Sequence, residues 1–384
     1  MMDDSTRIPS LAAYLAQIPE YRAARGRRHP LLALLLLVGV ATLCGARGQR
    51  AIADWGRCHG QPWLRRRGFT GDRAPSQPTL SRLFSRLPHE AVEAALGRWA
   101  EPVLRCRPPE PGALEGLAVD GKTLRGSRKR GATEAHLLAA FSHRLGVTLG
   151  RAGVPKKSNE IGAAGAFLRA LALDGRVVTA DALLTQRDIA RAIIGGGGDY
   201  LLVVKTNQPT LHADIAAAFA PGADDTGRVG NATTVTQHGG RVERRALTAS
   251  TALVGYSDWP GLGQILRVER RTIHKMTGRV LRQETAYAIT SLAPHRATPP
   301  QLLALWRGHW AIENRLHYVR DMAFDEDRAT ARADHAPQVM AAFRNAAIGL
   351  IHALGTTAIT ATCRRFAAAP LIACRALGLC TDFE

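Results

Sequence analysis

Three acidic residues stand at points where the local sequence pattern could place them for chemistry. Asp120 ends the apolar run GLAVD, and Asp181 ends a second run, RVVTAD. Burying a carboxylate at the end of a strand costs several kcal/mol unless something pairs with it. Lys122 follows closely, so Asp120 is either a local ion-pair acid or an acid that waits for a cation such as a metal ion.

The third acid, Glu313, lies in LLALWRGHWAIENRLHYVRD, whose apolar residues recur with the period of a helix. Offsets of four and seven residues put it on one helical face with Trp306, His309, His317 and Arg320. If the strands that end in the two aspartates are neighbours, their carboxylates share one sheet edge and repel each other. A divalent cation such as Mg²⁺, which prefers oxygen ligands, removes that repulsion. The three acids therefore form one candidate metal site.

Each acid also has an ordinary structural interpretation. An aspartate at a strand end often caps a turn, and Glu313 could pair with a histidine one helical turn away. The run DEDR at 325–328 is typical of a solvated helix start. The three acids together support a functional site better than any one of them alone. Their order along the chain, two strand ends and then a late helix, rarely arises by chance.

The composition describes a globular protein with an excess of positive charge. Apolar residues make up 46% of the 384 residues, the formal net charge is +19 and the pI is near 10.7. Such an excess makes a polyanionic partner, nucleic acid above all, the first expectation. The six cysteines form no CxxC pair, so we interpret them as reduced packing residues of a cytoplasmic protein.

One apolar segment could be mistaken for a membrane anchor. The run HPLLALLLLVGVATLCGA at 29–46 follows several arginines. Its uncharged part is at the short limit of the about 20 residues that a spanning helix needs. We therefore predict a buried helix and no membrane partner, with membrane attachment as the alternative.

The chain divides into two regions whose sequence patterns predict different secondary structure. Residues 1–104 have helical periodicity throughout, with basic stretches such as WLRRRGF at 63–69. They form either a helical packing unit with a solvated basic face or a DNA-end binding domain. The Pro- and Gly-rich stretch 105–116 predicts a linker, which places the domain boundary near residue 105.

Residues 105–384 predict an α/β domain. Its first part predicts the order β-β-β-α-β-α-β-α, with Ser158 as the N-cap of the first helix. Residues 228–292 are β-rich, with strands expected at RVERRALTAS, ALVGY, QILRVERRTIH and ETAYAITSL, and an extra sheet is one arrangement for them. A single long helix is expected from about Pro300 to Met322.

Several motifs together resemble the DDE transposases of bacterial insertion sequences, in particular the ISAs-type, H-repeat-associated branch. The motifs are VDGKTLRGS, KSNEI, TADALLTQRDIA, GDYLLVVKTNQPTL and HWAIENRLHYVRDMAFDEDRA, together with the N-terminal HPLLALLLLVGVATLCGARGQRAIADWG. The resemblance covers nearly the whole chain. It implies an RNase H-like mixed sheet with a β-strand insertion, preceded by an all-helical domain, and it implies Asp120, Asp181 and Glu313 as the catalytic, metal-binding triad.

The resemblance also implies a reaction and its partners. Two Mg²⁺ ions, with Mn²⁺ as a plausible substitute, would serve DNA cleavage at transposon ends and strand transfer into target DNA. Double-stranded DNA is the expected partner, bound by a homodimer that is cytoplasmic and associates with the nucleoid. Alternatives are a metal-dependent nuclease on the same fold, which cuts but does not join, and a catalytically decayed DNA-binding protein.

Residues around the acids are expected to contact DNA. Related enzymes carry the signature Tyr-x2-Arg-x3-Glu-x6-Lys, and the matching positions here have similar character although three of the four residues differ. The DALLTQ segment likewise departs from the DAMGCQ expected in this branch. The predicted nucleic-acid contacts are Lys122, Arg125, Lys205, Asn207, Trp306, His309 and Arg320.

Overall fold

A computed structural model describes residues 8–25, 27–59, 64–65, 68–69, 73–124, 135–154 and 160–379. The chain forms two compact units. The helical unit comprises Met1–Pro108, Gly121–Asn159 and Ile312–Glu384, and the sheet unit comprises Pro109–Asp120 and Glu160–Ala311. The first segment of the helical unit ends at Pro108, and two later segments belong to the same unit.

The N-terminal region is helical, as predicted. The five helices described there are α1 (Leu11–Leu15), α2 (Leu31–Leu43), α3 (Gln49–Cys58), α4 (Gln77–Arg86) and α5 (His89–Arg105). In α2 every residue except Leu32 is buried, which confirms a buried helix for the apolar run. Among the described residues, no helix combines the length and the apolar character needed to cross a membrane.

The strands form one large mixed sheet. Their bounds are β1 (Glu115–Leu124), β2 (Ala135–Ser142), β3 (Thr148–Val154), β4 (Arg176–Ala180), β5 (Asp199–Val204), β6 (Arg228–His238), β7 (Arg241–Ser250), β8 (Gln264–His274) and β9 (Val280–Thr290). Strand β1 runs through the division between the units, which falls after Asp120. The hydrogen-bonded order is β3-β2-β1-β4-β5-β9-β8-β7-β6. Strands β1, β4 and β5 are parallel, whereas β5 to β9 and the following pairs are antiparallel.

The β-rich insertion extends this sheet and does not form an extra one. Strand β9 pairs directly with β5, with Leu202 opposite Ile289, and β8, β7 and β6 follow outward. The predicted strand ALVGY is wrong, because these residues form turns in which Gly255 has φ +80°. Strand β6 was not predicted, because its sequence RVGNATTVTQH is polar and mostly exposed at the sheet edge.

Four helices are described in the sheet unit. They are α6 (Glu160–Arg169), α7 (Arg187–Gly195), α8 (Pro209–Ala218) and α9 (Pro299–His309), with a 3₁₀ turn at Ala182–Leu184. A capping box of Thr298 and Gln301 begins α9, and its Leu302 packs in a core with Leu247 and Leu266 of the sheet. The predicted N-cap Ser158 lies outside the described residues.

The prediction of one regular helix over residues 300–322 is wrong, because the helical conformation is interrupted there. Helix α9 ends at His309, a π-helical turn spans Glu313–His317, and α10 (Tyr318–Phe324) follows. Asp325, with φ 51°, ends α10, and a 3₁₀ turn at Glu326–Arg328 comes next. A π turn inserts an extra residue, so positions after it lie on a different face from the one that a regular helix predicts.

The last three helices complete the helical unit. They are α11 (Ala336–Ala353), α12 (Ile359–Ala368) and α13 (Pro370–Ala376). Helix α11 packs against α2 and α5, and most of its residues are buried. This helix therefore supplies much of the core of the helical unit.

Candidate metal site

The two predicted aspartates follow paired positions of neighbouring parallel strands. Val119 of β1 is in register with Ala180 of β4, and the next residue in each case is the aspartate. The expectation that these strands are neighbours is confirmed. The expectation that Asp120 ends its strand is wrong, because β1 continues to Leu124. Within the sheet unit, Asp120 is half-buried and Asp181 is exposed.

Among the described residues, one group of side chains has metal-ligand spacing. It consists of Asp120, Glu313 and His317, each of which offers a ligand atom within 4.8 Å of the other two. The group contains two of the three predicted acids. The four-residue offset placed His317 on the Glu313 face as a candidate ion-pair partner of Glu313, not as a metal ligand.

The Glu313 carboxylate is exposed and ionised. Its side chain is 56% exposed, and its Oε2 lies 3.0 Å from Nδ1 of the buried His317. That hydrogen bond lowers the pKa of Glu313, burial acts in the opposite direction, and the charge of Lys122 lowers it further. Burial lowers the pKa of His317, so the neutral ring donates Nδ1–H to the carboxylate at neutral pH.

Lys122 holds the π turn that carries Glu313. Its Nζ donates to the carbonyl oxygen of His317 at 3.0 Å and to Asp321 Oδ2 at 2.5 Å. The Lys122 side chain is only 11% exposed. The structure therefore engages this predicted DNA contact with the protein itself. Arg125, the other predicted contact of this segment, lies outside the described residues.

Asp181 is not part of the metal-ligand group. Its Oδ1 accepts a hydrogen bond of 3.0 Å from the backbone N–H of Leu183, which begins the 3₁₀ turn. The segment after β5 holds this turn, because Asn207 Nδ2 donates to the carbonyl oxygen of Ala182 at 2.6 Å. Asn207 thus supports the Asp181 loop, and the neighbouring Lys205 is exposed.

The remaining predicted contacts lie in different surroundings. His309 Nδ1 is 3.2 Å from Thr179 Oγ1, and burial lowers its pKa although the nearby Asp181 carboxylate acts in the opposite direction. Trp306 is partly buried against the core of the sheet unit. Arg320 is 1% exposed and donates Nε–H to Glu326 Oε2 at 2.7 Å.

A buried charge cluster follows the π turn and corrects the expectation for DEDR. Glu326 is 2% exposed and pairs with both Arg320 and Arg344, whose Nη1 lies 2.9 Å from Oε1. Burial alone would raise the pKa of Glu326, but the two arginines outweigh it and lower that pKa to about 2. The expectation was wrong because the turn at Asp325 points Glu326 inward.

Comparison with known proteins matches both regions of the chain. Residues 12–100 match the family described as DDE_Tnp_1-associated, and residues 111–350 match the family described as Transposase DDE domain. The putative transposase YncI of Escherichia coli O157:H7 is 30% identical over 353 residues, which cover 90% of this chain and 87% of that one. The H repeat-associated putative transposase YhhI of Escherichia coli (strain K12) is 28% identical, and the match covers 90% of each chain.

Among solved structures, similarity is found to a piggyBac transposase synaptic complex with hairpin DNA. The match covers 100% of this chain and 84% of that chain, at 10% identity and a TM-score of 0.38.

Proposed function

This chain belongs to the DDE transposase domain family, and from that premise we propose that it cleaves DNA at transposon ends and joins them to target DNA. The substrate is double-stranded DNA, and the net charge of +19 supports a polyanionic substrate. We further propose an RNase H-like core, supported by the hairpin β2–β3 beside the parallel strands β1, β4 and β5. A homodimer would hold the two transposon ends together.

The observation that supports this proposal most is the Asp120, Glu313 and His317 group. The carboxylates of Asp120 and Glu313 fit a divalent cation, and the His317 imidazole, whose ligand atom lies within 4.8 Å of theirs, orients Glu313. When bound, Mg²⁺ or Mn²⁺, proposed as two ions, supplies the charge that activates water and stabilises the leaving oxygen. The exposed Glu313 carboxylate leaves room for such an ion, because solvent already reaches it.

Asp181 is the third carboxylate of the proposed site. Its hydrogen bond from the Leu183 N–H contributes only about 1 kcal/mol, so a cation can replace it. The other residues position the acids: His317 orients Glu313 through Nδ1, Lys122 fixes the π turn, and Asn207 holds the Asp181 loop. Lys205 and His309 remain the proposed phosphate contacts, because Arg320 is already paired with Glu326.

The reaction needs two phosphoryl transfers at one centre. In the first, a water oxygen attacks the phosphorus at the transposon end, the P–O3′ bond breaks, and a 3′-OH is released. In the second, that 3′-OH attacks a phosphodiester of the target, forms a new P–O bond and displaces another 3′-oxygen. Because bond types are conserved, the same carboxylates serve both steps.

The test is cleavage of a plasmid that carries the native DNA flanking the gene. Asp120→Asn and Glu313→Gln should each lower Mg²⁺-dependent cleavage by roughly 10³-fold, because several kcal/mol of charge stabilisation are lost. Matched controls are Asp188→Asn, an exposed aspartate paired with Arg191, and Glu90→Gln, an exposed glutamate beside His89. Both controls should cleave like the unmodified protein. Unchanged cleavage by Asp120→Asn would refute the assignment.

A second assay separates the transposase from a nuclease. A DNA end that already carries a free 3′-OH is mixed with target plasmid and Mg²⁺, and joined product is measured. The proposed function predicts joining that depends on Asp120 and Glu313. Metal-dependent cleavage without any joined product would favour the nuclease.

A further inference from the structure

We infer that a groove in the helical unit binds the phosphate backbone of double-stranded DNA, an inference that rests on the proposed function. The groove has a volume of about 1140 Å³ and shares no residue with the metal-ligand group. Residues of α3, the start of α4 and the segment after α10 line it. Its cationic side chains, which define the arginine groove, are Arg47, Arg50, Arg57, Arg328, Arg332 and Arg344.

Six arginines and two aspartates, Asp54 and Asp325, are among the described residues that line the arginine groove. Glu326 neutralises the buried Arg344, so the charge available to a ligand lies on exposed arginines such as Arg47 and Arg50. Arg57 pairs with Asp54, and Arg328 lies 3.9 Å from Asp325 with its side chain 86% exposed. Exposed pairs of this kind contribute little, about 0–1 kcal/mol, so phosphate can displace the aspartates. Within the described part of the chain, Arg50 is exposed and its guanidinium has no ion-pair partner.

A rigid arginine connects two walls of the groove. Arg344 is 2% exposed, and its Nη2 donates to the carbonyl oxygen of Arg47 at 2.9 Å while its Nη1 donates to Glu326. Its Nε–H is buried without a hydrogen-bond acceptor among the described residues. Glu326 and the Arg47 backbone therefore fix this cation, so it loses little further entropy when an anion approaches.

The chemistry of the lining favours a duplex backbone over a single strand. Uncharged hydrogen-bonding side chains accompany the arginines, namely Gln49, Ser76, Gln77, Ser81 and Thr330. Arginine forks and hydroxyl or amide donors suit phosphate oxygens. Among the described residues that line the groove none is aromatic, whereas single-strand binding relies on aromatic stacking. Binding at this groove should therefore be independent of base sequence.

The test is fluorescence anisotropy with a labelled 30-bp duplex of arbitrary sequence, titrated with full-length protein at several salt concentrations. Arg50→Glu and Arg328→Glu remove exposed groove cations. The matched control is Arg364→Glu, an exposed arginine of α12 outside the groove that undergoes the same charge reversal. Each groove variant should bind at least roughly tenfold more weakly near 0.1 M salt and lower the salt slope by about 1, while Arg50→Lys binds normally.

Each outcome decides the inference. If Arg364→Glu loses as much affinity as the groove variants, binding follows net charge and the inference is wrong. It is also wrong if the groove variants bind normally, or if a single strand or duplex RNA competes better than duplex DNA. Failure of the proposed function is separate: in that case the unmodified protein does not cleave or join DNA, whatever the groove variants show.

Discussion

Glu313 and Glu326 lie thirteen positions apart, one before and one after α10, and they have opposite surroundings. The Glu313 side chain is 56% exposed and has one buried histidine as its hydrogen-bond partner. The Glu326 side chain is 3% exposed and accepts hydrogen bonds from two buried arginines. In both residues the pKa is lowered, through the His317 hydrogen bond in the first and through arginine charges that outweigh burial in the second.

Glu313 therefore has carboxylate oxygens that can still accept a cation, whereas the carboxylate oxygens of Glu326 are already occupied by arginines. Exposed carboxylate oxygens can accept a cation at little cost, because solvent is all that the cation replaces. A carboxylate already held by two guanidinium groups cannot, since breaking a buried pair costs several kcal/mol. Glu326 therefore serves to hold the chain after the π turn, which leaves Glu313 available for chemistry.

The comparison predicts opposite results for two conservative substitutions. Glu326→Gln should lower the free energy of unfolding by about 3–5 kcal/mol, because Arg320 and Arg344 lose their buried counter-charge. Glu313→Gln should change it by less than about 1 kcal/mol, as expected for an exposed pair. Urea unfolding followed by circular dichroism measures both.

Activity should show the reverse order. Glu313→Gln removes DNA cleavage, whereas Glu326→Gln retains it at temperatures where the variant is folded. Equal destabilisation by the two substitutions would remove the distinction on which the comparison depends.

A pH titration tests the charge of Glu326 itself. Its pKa is lowered from 4.5 to about 2, so the folded state favours the ionised form. The resulting stability is present in full above pH 4.5 and is lost as the pH falls towards 2. Relative to Glu326→Gln, the unmodified protein should therefore lose roughly 3 kcal/mol of unfolding free energy across this window. A constant difference between the two proteins from pH 6 to pH 2.5 would contradict the assignment.

The sequence predicted the parts of this molecule that depend on local pattern. Strands β7 and β8 match the predicted RVERRALTAS and QILRVERRTIH, and α2 is the predicted buried helix. Asp120 and Asp181 were correctly placed on neighbouring strands, but only Asp181 follows a strand end, because β1 continues past Asp120 to Leu124. These features need only periodicity and turn chemistry.

The features that the sequence did not predict depend on register and on distant partners. The π turn at Glu313–His317 adds one residue to a helix whose apolar pattern looks regular. Arg320 consequently points to Glu326, although its sequence offset placed it with Glu313. The burial of Glu326 depends on Arg344, which lies eighteen positions later and gives no local signal.

The smallest expected effect concerns how His317 serves Glu313. His317→Leu should weaken Mn²⁺ binding by about 10–100-fold, because the ring that orients the carboxylate is lost. His317→Asn should recover most of the affinity, because an amide N–H can take the position of the Nδ1–H donor. Buried His352, which contacts the Gly146 carbonyl, is the matched control, and His352→Leu should lower stability without changing Mn²⁺ affinity. Isothermal titration calorimetry measures the Mn²⁺ affinity of the three variants. If His317→Asn binds Mn²⁺ as weakly as His317→Leu, the His317 imidazole is itself a ligand of the cation and does not act only by orienting Glu313.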